Sequence, residues 1–228
     1  PRVRSQLGLF VSHYQEWMNR DAFIRHDRIE VIPAGIPFDA NEIELREDGL
    51  KTPVRLLYAG ALTPDRGFDV LFEALSMMVP AQRAGFKLTV AGQPPNEWAR
   101  NWWDKFKKST SASPVWEIIE TRGWVAPGDI GSLLQEQDML VFPSARGEGM
   151  PLIMQEAMLH GCLVLSSGSG GAGELCEEAG IPVFPANCPL ALRDQLLRIA
   201  EKAESEAVEE RKRLQSIARE RFRIQNAA

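Results

Sequence analysis

Residues 139–161 read MLVFPSARGEGMPLIMQEAMLHG. The apolar run Met139-Leu140-Val141-Phe142 predicts a buried strand, and Pro151, a residue favoured at the first helical position, predicts a helix from there on. The stretch is a strand, a glycine-bearing loop and a helix. Glycines ahead of a helix start leave backbone N–H groups open at the positive end of a helix dipole, which is an anion site. Two carboxylates bracket it, Glu148 in the loop and Glu156 in the helix, with seven residues between them. Like charges repel, so these acids do not serve the anion. They suit hydroxyls on either flank of a diphosphate, as in a nucleotide sugar. The alternative open at this point is that Glu148 complements the helix dipole and Glu156 is a solvated helical residue.

Outward from this stretch, strand and helix signals alternate. They run 54–59 then 68–79, 86–91 then 96–109, 115–120 then 127–135, 138–142 then 152–159, 163–166 then 171–179, and 181–184 then 190–203. Six such units predict an α/β fold, a single Rossmann-like domain with a six-stranded parallel sheet and helices on both faces. Ligands of such sheets bind beyond the carboxyl ends of the strands, where the loops 60–67 and 147–150 both fall. Ahead of the domain, residues 7–12 are apolar, 13–27 read as helix and 29–32 as strand. Residues 33–37 break the pattern, and 38–53 form a polar connector with little fixed structure. The charged tail over 204–223 carries a narrow apolar stripe and reads as a solvated helix. Trp102 and Trp103 are adjacent on a helix that cannot bury both rings on one face, which leaves one for an interface.

At 228 residues and 44% hydrophobic content the chain buries a sizeable core, and its net charge of −5 argues against a nucleic-acid binder. Cys162, Cys176 and Cys188 lack close pairing, so neither a zinc site nor a disulfide framework is expected, and a reducing, cytoplasmic setting follows. No apolar run reaches membrane-spanning length, and association with a membrane is not visible in this segment. The N-terminus is no convincing signal peptide and reads as the middle of a longer chain.

In the loop 60–67, Gly60 permits close backbone approach to a ligand and Arg66 adds a fixed positive charge at a helix start; the bland alternative is an ordinary turn with a surface arginine. Residues 168–173 match G-x-G-x-x-G, but the acid that a dinucleotide ribose needs about 20 residues later is missing, since that region reads Pro185-Ala186-Asn187-Cys188. A glycine loop lining some other ligand fits better. There is no P-loop, serine elbow or Cys–His pairing, and His160, just before Gly161, reads as a helix-end residue.

With these residues in view the chain resembles the C-terminal, donor-binding half of retaining GT-B glycosyltransferases of family 4. The likeness rests on Glu148 through Glu156 as a paired-glutamate signature, on Gly60 to Gly67, on Gly123-Trp124-Val125 and on Gly170-Gly171-Ala172-Gly173-Glu174. It implies a nucleotide-sugar donor, UDP being the commonest, and no cofactor or metal. It also implies that Glu156 accepts the ribose hydroxyls and Glu148 lies by the donor sugar. The backbone of Gly149, Met150, Pro151, Leu152 and Ile153 would cradle diphosphate and sugar, and Val125 would touch the base through its main chain. Arg66 would neutralise the leaving diphosphate beside Gly60, which makes Arg66 and Glu148 the expected catalytic pair.

Two departures stand out. Ala61 occupies a position where the family usually carries a basic residue, with Arg146 the candidate to compensate, and Pro151 replaces a common glycine and removes one N–H donor. The expected division is a stub and linker over 1–35 from a missing N-terminal acceptor domain, a nucleotide-sugar-binding domain over 36–205 and a C-terminal helix over 206–228. Two rivals are a GT-B sugar-nucleotide epimerase and a non-catalytic nucleotide-sugar-binding module.

Overall fold

A computed structural model describes residues 3–19, 24–32, 35–36, 43–44 and 46–222. The chain opens with strands β1 (Val3–Phe10) and β2 (Ile24–Val31), paired in parallel and joined through a short helix α1 (His13–Met18). Ser12 caps α1 by accepting from the Gln15 N–H at 3.1 Å. The helix expected over 13–27 therefore ends early and its last part is strand, because Ile24, Ile29 and Val31 find backbone partners along β1. Residues 20–23 of that expectation lie outside the described residues.

The main sheet comprises β3 (Val54–Ala59), β4 (Phe86–Ala91), β5 (Ile119–Gly123), β6 (Met139–Phe142) and β7 (Leu163–Ser166), all parallel, in the order β5-β4-β3-β6-β7. Around it lie α2 (Phe68–Ser76), α3 (Pro80–Arg83), α4 (Glu97–Ser109), α5 (Ile130–Glu136), α6 (Leu152–Leu159), α7 (Gly171–Ala179), α8 (Pro189–Ala200) and α9 (Glu204–Arg221). Every residue of β6 and β7 is buried, as continuous apolar runs in a sheet covered on both faces should be.

The chain winds outward from β3 through β4 to β5, then returns to place β6 on the other side of β3. Between β3 and β6 the order reverses, and such a switch point is where the crevice of an open α/β sheet lies.

Five strands form where six were expected. Residues 181–184 make a single bridge, Ser166 to Val183. Pro182 and Pro185 flank Val183 and lack N–H donors, so the ladder cannot extend. The strand expected over 115–120 begins later, because Pro114 opens a 3₁₀ turn (Pro114–Ile118) capped by the Ser113 hydroxyl. The connector over 38–53, where described, holds no helix or strand but is pinned: Arg46 pairs with Asp48 at 2.8 Å and donates to the Gln137 carbonyl. Residues 38–42 and 45 of that expectation are outside the described set.

The tail is not a solvated helix. Ala207, Arg211, Leu214, Gln215 and Ala218 of α9 are buried, and the helix packs on α6. Two of those five are polar, which is why the apolar stripe looked too narrow for docking. Residues 223–228 of the expected helix lie outside the described residues.

Both adjacent tryptophans of α4 are also accommodated. Trp103 is buried, half-buried Trp102 stacks on Phe106 with ring centroids 5.7 Å apart, and it is Trp98 that stands exposed.

At the amino end of β6, the fully buried Asp138 gathers three arginines. Arg55 donates through its backbone N–H and Nε, both at 2.9 Å, and through Nη2 at 2.8 Å. Arg211 of α9, itself fully buried, donates through Nη2 at 3.0 Å, and Arg46 approaches at 3.3 Å. Burial alone would raise the Asp138 carboxyl, but the hydrogen bonds from Arg55 and the charges of Arg55 and Arg211 outweigh it and hold the group below the usual carboxylate value. This cluster ties the connector, the sheet and the last helix to one carboxylate at the edge away from the crevice.

Candidate functional site

The loops after β3 and β6 are clasped together. The backbone N–H groups of Ala145 and Arg146 donate to the Asp65 carbonyl at 3.0 and 3.2 Å. Gly67, left-handed at φ 72°, lets the first loop close against the second, since a Cβ there would sit 2.2 Å from the Pro143 carbonyl oxygen.

This closure brings Arg66, on the 3₁₀ turn Pro64–Arg66, into an ion pair with Glu148. The two expected catalytic residues thus meet at the topological switch point. The Ser144 hydroxyl lies 3.3 Å from the same Glu148 oxygen. Both charged side chains are mostly buried, so screening by solvent is incomplete. Arg146 is more exposed and pairs with Asp65 at 3.5 Å. The Asp65 carboxyl is held low chiefly by the Thr63 hydroxyl, with the charges of Arg66 and Arg146 adding to it.

At the carboxyl ends of β3, β4 and β5, a cavity of about 400 Å³ opens between Gly60, Ala61, Gly92, Gln93, Trp124 and Ile153, with Val125 also in its wall. Three of the expected binding residues, Gly60, Val125 and Ile153, therefore share one cavity. Its walls carry no charged side chain, and Gln93 supplies their one side-chain amide. Trp124 stands at the rim, 63% exposed. Gln93 and Pro95 were not expected from the sequence, and Trp124 was noted only as part of Gly123-Trp124-Val125, without a role in the site. The signal was available, because all three follow the ends of β4 and β5 and so obey the same carboxyl-edge rule as the loops that were singled out.

The remaining expected residues do not line the cavity. Pro151 is buried as the N-cap of α6, where no side chain satisfies the first-turn N–H groups, so that helix start remains free to meet an anion. Leu152 is exposed, and Met150 packs partly against the core. Gly149 faces Val11 and Gln15 of the N-terminal segment. Glu156 is half-buried on α6, and no hydrogen-bond or ion-pair partner is found for its carboxyl among the described residues. Burial raises its carboxyl above the usual value. A carboxylate kept partly dry without a donor is an acceptor in need of hydroxyls or amides.

His160 is the C-cap of α6. Its imidazole approaches Gly131, lies 3.5 Å from the Gln135 amide and is pushed down by burial, which fits a packed helix end. Among the described residues no group of three or more His, Cys, Asp or Glu could hold a metal ion, and no helix is long and apolar enough to cross a membrane.

Comparison with known proteins gives the same outline. The family model described as glycosyl transferases group 1 matches residues 53–202. The amylovoran biosynthesis glycosyltransferase AmsK of Erwinia amylovora is 29% identical over 78% of this chain and 43% of its own length. A putative colanic acid biosynthesis glycosyltransferase, WcaL of Salmonella typhimurium, is 26% identical over 55% of this chain and 30% of its own. Among solved structures, Anabaena HepE in complex with UDP superposes with a TM-score of 0.82 at 17% identity, over 98% of this chain and 61% of that one. The chain spans less than half the length of these curated relatives. With a family match over most of the chain and this shared architecture, the chain belongs to the group 1 glycosyl transferases and has the Rossmann-like fold of the C-terminal half of GT-B enzymes.

Proposed function

We propose that this chain binds the nucleotide-sugar donor, a UDP-sugar, for retaining transfer of the glycosyl group to an acceptor held by an N-terminal domain in the same protein. The observation that carries the proposal is that one carboxyl edge of the sheet bears both an apolar cavity sized for a nucleoside and, on the loops after β3 and β6, a cation and a carboxylate that partner each other. The uncharged wall suits a neutral base, with Val125 offering its main chain. The uncapped start of α6 and Arg66 suit the diphosphate, Glu156 the ribose hydroxyls and Glu148 the sugar. When the bond from sugar to diphosphate breaks, charge develops on the departing UDP, and Arg66 with the α6 N–H groups lowers the energy of that state. UDP is chosen because HepE has been solved with UDP and with UDP-glucose.

An N-terminal partner domain is favoured by the two-stranded sheet of β1 and β2. Parallel strands are ordinarily covered on both faces, whereas Leu7, Leu9 and Ile29 are exposed here. Such a protein acts in the cytoplasm, where nucleotide sugars are at hand and its three thiols stay reduced.

Calorimetric titration of the chain with UDP-, GDP- and ADP-sugars tests donor choice, and the same titration of Glu156→Ala tests the ribose contact. Loss of a hydroxyl hydrogen bond to a charged acceptor should weaken binding by about 1.5–3 kcal/mol, roughly one to two decades in affinity. Equal affinities for the two chains would refute the assignment of Glu156.

A second reading, a non-catalytic nucleotide-sugar-binding module, is favoured by Ala61 at the cavity and by Arg66 being engaged by Glu148. Release of UDP from UDP-sugar by the protein joined to its N-terminal domain, dependent on acceptor, would exclude that module.

A further inference from the structure

Glu174 lies in the first turn of α7 and faces another helix start. Its two carboxylate oxygens accept backbone N–H groups from the opening of α1, His13 at 2.9 Å and Tyr14 at 2.5 Å, across some 160 positions of sequence. Hydrogen bonds from backbone N–H groups to an ionised acceptor are about twice as strong as neutral ones, and the negative charge complements the dipole ends of both α1 and α7.

The clamp acts where three backbones converge. Gly149 meets Val11, where a Cβ would come 2.9 Å from the valine Cγ2. Gly147 lies under the ring of Tyr14, its missing Cβ only 2.0 Å from the phenol oxygen. Gly171 donates to the Glu148 carbonyl at 2.7 Å, and a Cβ on it would sit 1.4 Å from the Gly149 carbonyl oxygen. The loop that carries Glu148 is thus held between α7 on one side and residues 11–15 on the other, with no side-chain volume to spare.

We propose that Glu174 is a positioning residue: by clamping the start of α1 it presses residues 11–15 onto the 147–149 loop and so fixes Glu148 opposite Arg66. This rests on the donor-binding reading for its consequence in affinity, but not for its consequence in loop order. The N-terminal segment is thereby part of the wall that shapes the donor site, and a change in its docking is transmitted to Glu148 through Gly147 and Gly149.

The test compares the 228-residue chain with Glu174→Ala and Glu174→Gln by hydrogen exchange, and titrates each with UDP-glucose. In Glu174→Ala, amide exchange accelerates over residues 11–18 and also over 145–150, and UDP-glucose binds about tenfold more weakly. Glu174→Gln keeps one acceptor oxygen without the charge and recovers part of both effects, which an indirect loss of folding would not give. Faster exchange confined to 11–18, with unchanged affinity, makes Glu174 a simple helix cap and overturns the proposal. If the unsubstituted chain fails to bind UDP-glucose, the donor-binding reading falls instead, and exchange over 145–150 alone decides the role of Glu174.

Discussion

Replacing Asp138 by Asn strands a charge. Asp138 and Arg211 are both fully buried and Arg46 is nearly so, and one carboxylate accepts from these two arginines and from Arg55. Asn is of equal size, so packing is kept. It supplies a single acceptor oxygen, and its NH₂ group faces arginine donors. Removing one partner of a buried pair leaves the other charge uncompensated, which costs about 3–5 kcal/mol. Against an expected stability of about 5–15 kcal/mol for a domain, that is a large fraction.

Urea unfolding followed by circular dichroism reads the loss. With a slope of about 2–3 kcal/mol per molar urea, the midpoint falls by about 1–2.5 M. A second substitution separates the stranded charge from mere loss of bonds: Arg211→Met added to Asp138→Asn restores part of the midpoint, because the double variant no longer buries an unpaired guanidinium. Strictly additive losses, or a midpoint within about 0.3 M of the original for Asp138→Asn, would refute the reasoning.

The pH dependence has a definite sign. The Asp138 carboxyl is depressed in the folded state, so its contribution is complete above the unfolded value of about 3.9 and is lost as the pH falls through the lower folded value. The gap between original and variant is therefore constant near neutrality and closes only in acid.

Two further outcomes concern the crevice. Glu148→Gln frees Arg66 from a partner that competes with the diphosphate, so UDP, which carries no sugar for Glu148 to hold, binds about fivefold tighter, from about 1 kcal/mol for a partly buried pair. Unchanged or weaker UDP binding in calorimetry would mean that the pair is not broken by the diphosphate. Because burial raises the Glu156 carboxyl, acidification protonates it above the usual carboxylate range, and UDP-sugar affinity should decline there in the original chain but not in Glu156→Gln. Titrations between about pH 4.5 and 7.5 check this, and parallel curves for the two chains would remove Glu156 from the ribose.

Much of the architecture was legible because it is written in local patterns. Helix α6 begins after a proline and ends before a glycine, and the apolar runs of β6 and β7 allow only a buried strand, so those boundaries came out as expected. What stayed hidden depends on partners distant in sequence. Arg211 and Gln215 look solvated in a charged helix, and it is the Asp138 carboxyl and the backbone of Glu44, Arg46, Leu159 and Gly161 that make them interior residues. The bridge at Val183 failed to grow into a strand because hydrogen-bonding capacity, and not hydrophobicity, was limiting between two prolines. At the crevice the two loops were found through glycine and charge. Gln93 was passed over, and Trp124 entered only within Gly123-Trp124-Val125, because neither carries the glycine or the charge by which the two loops were singled out.

Helix α6 is covered by the sheet on one side and by α9 on the other, and five of its eight residues are buried. A rod wedged in this way cannot swing to suit a bulkier guest. Diversification of the guest must then come from exchange of the short segments at the rim, 60–67, 93–95 and 145–150, while the wedged rod stays a fixed datum from which every variant of the crevice is measured.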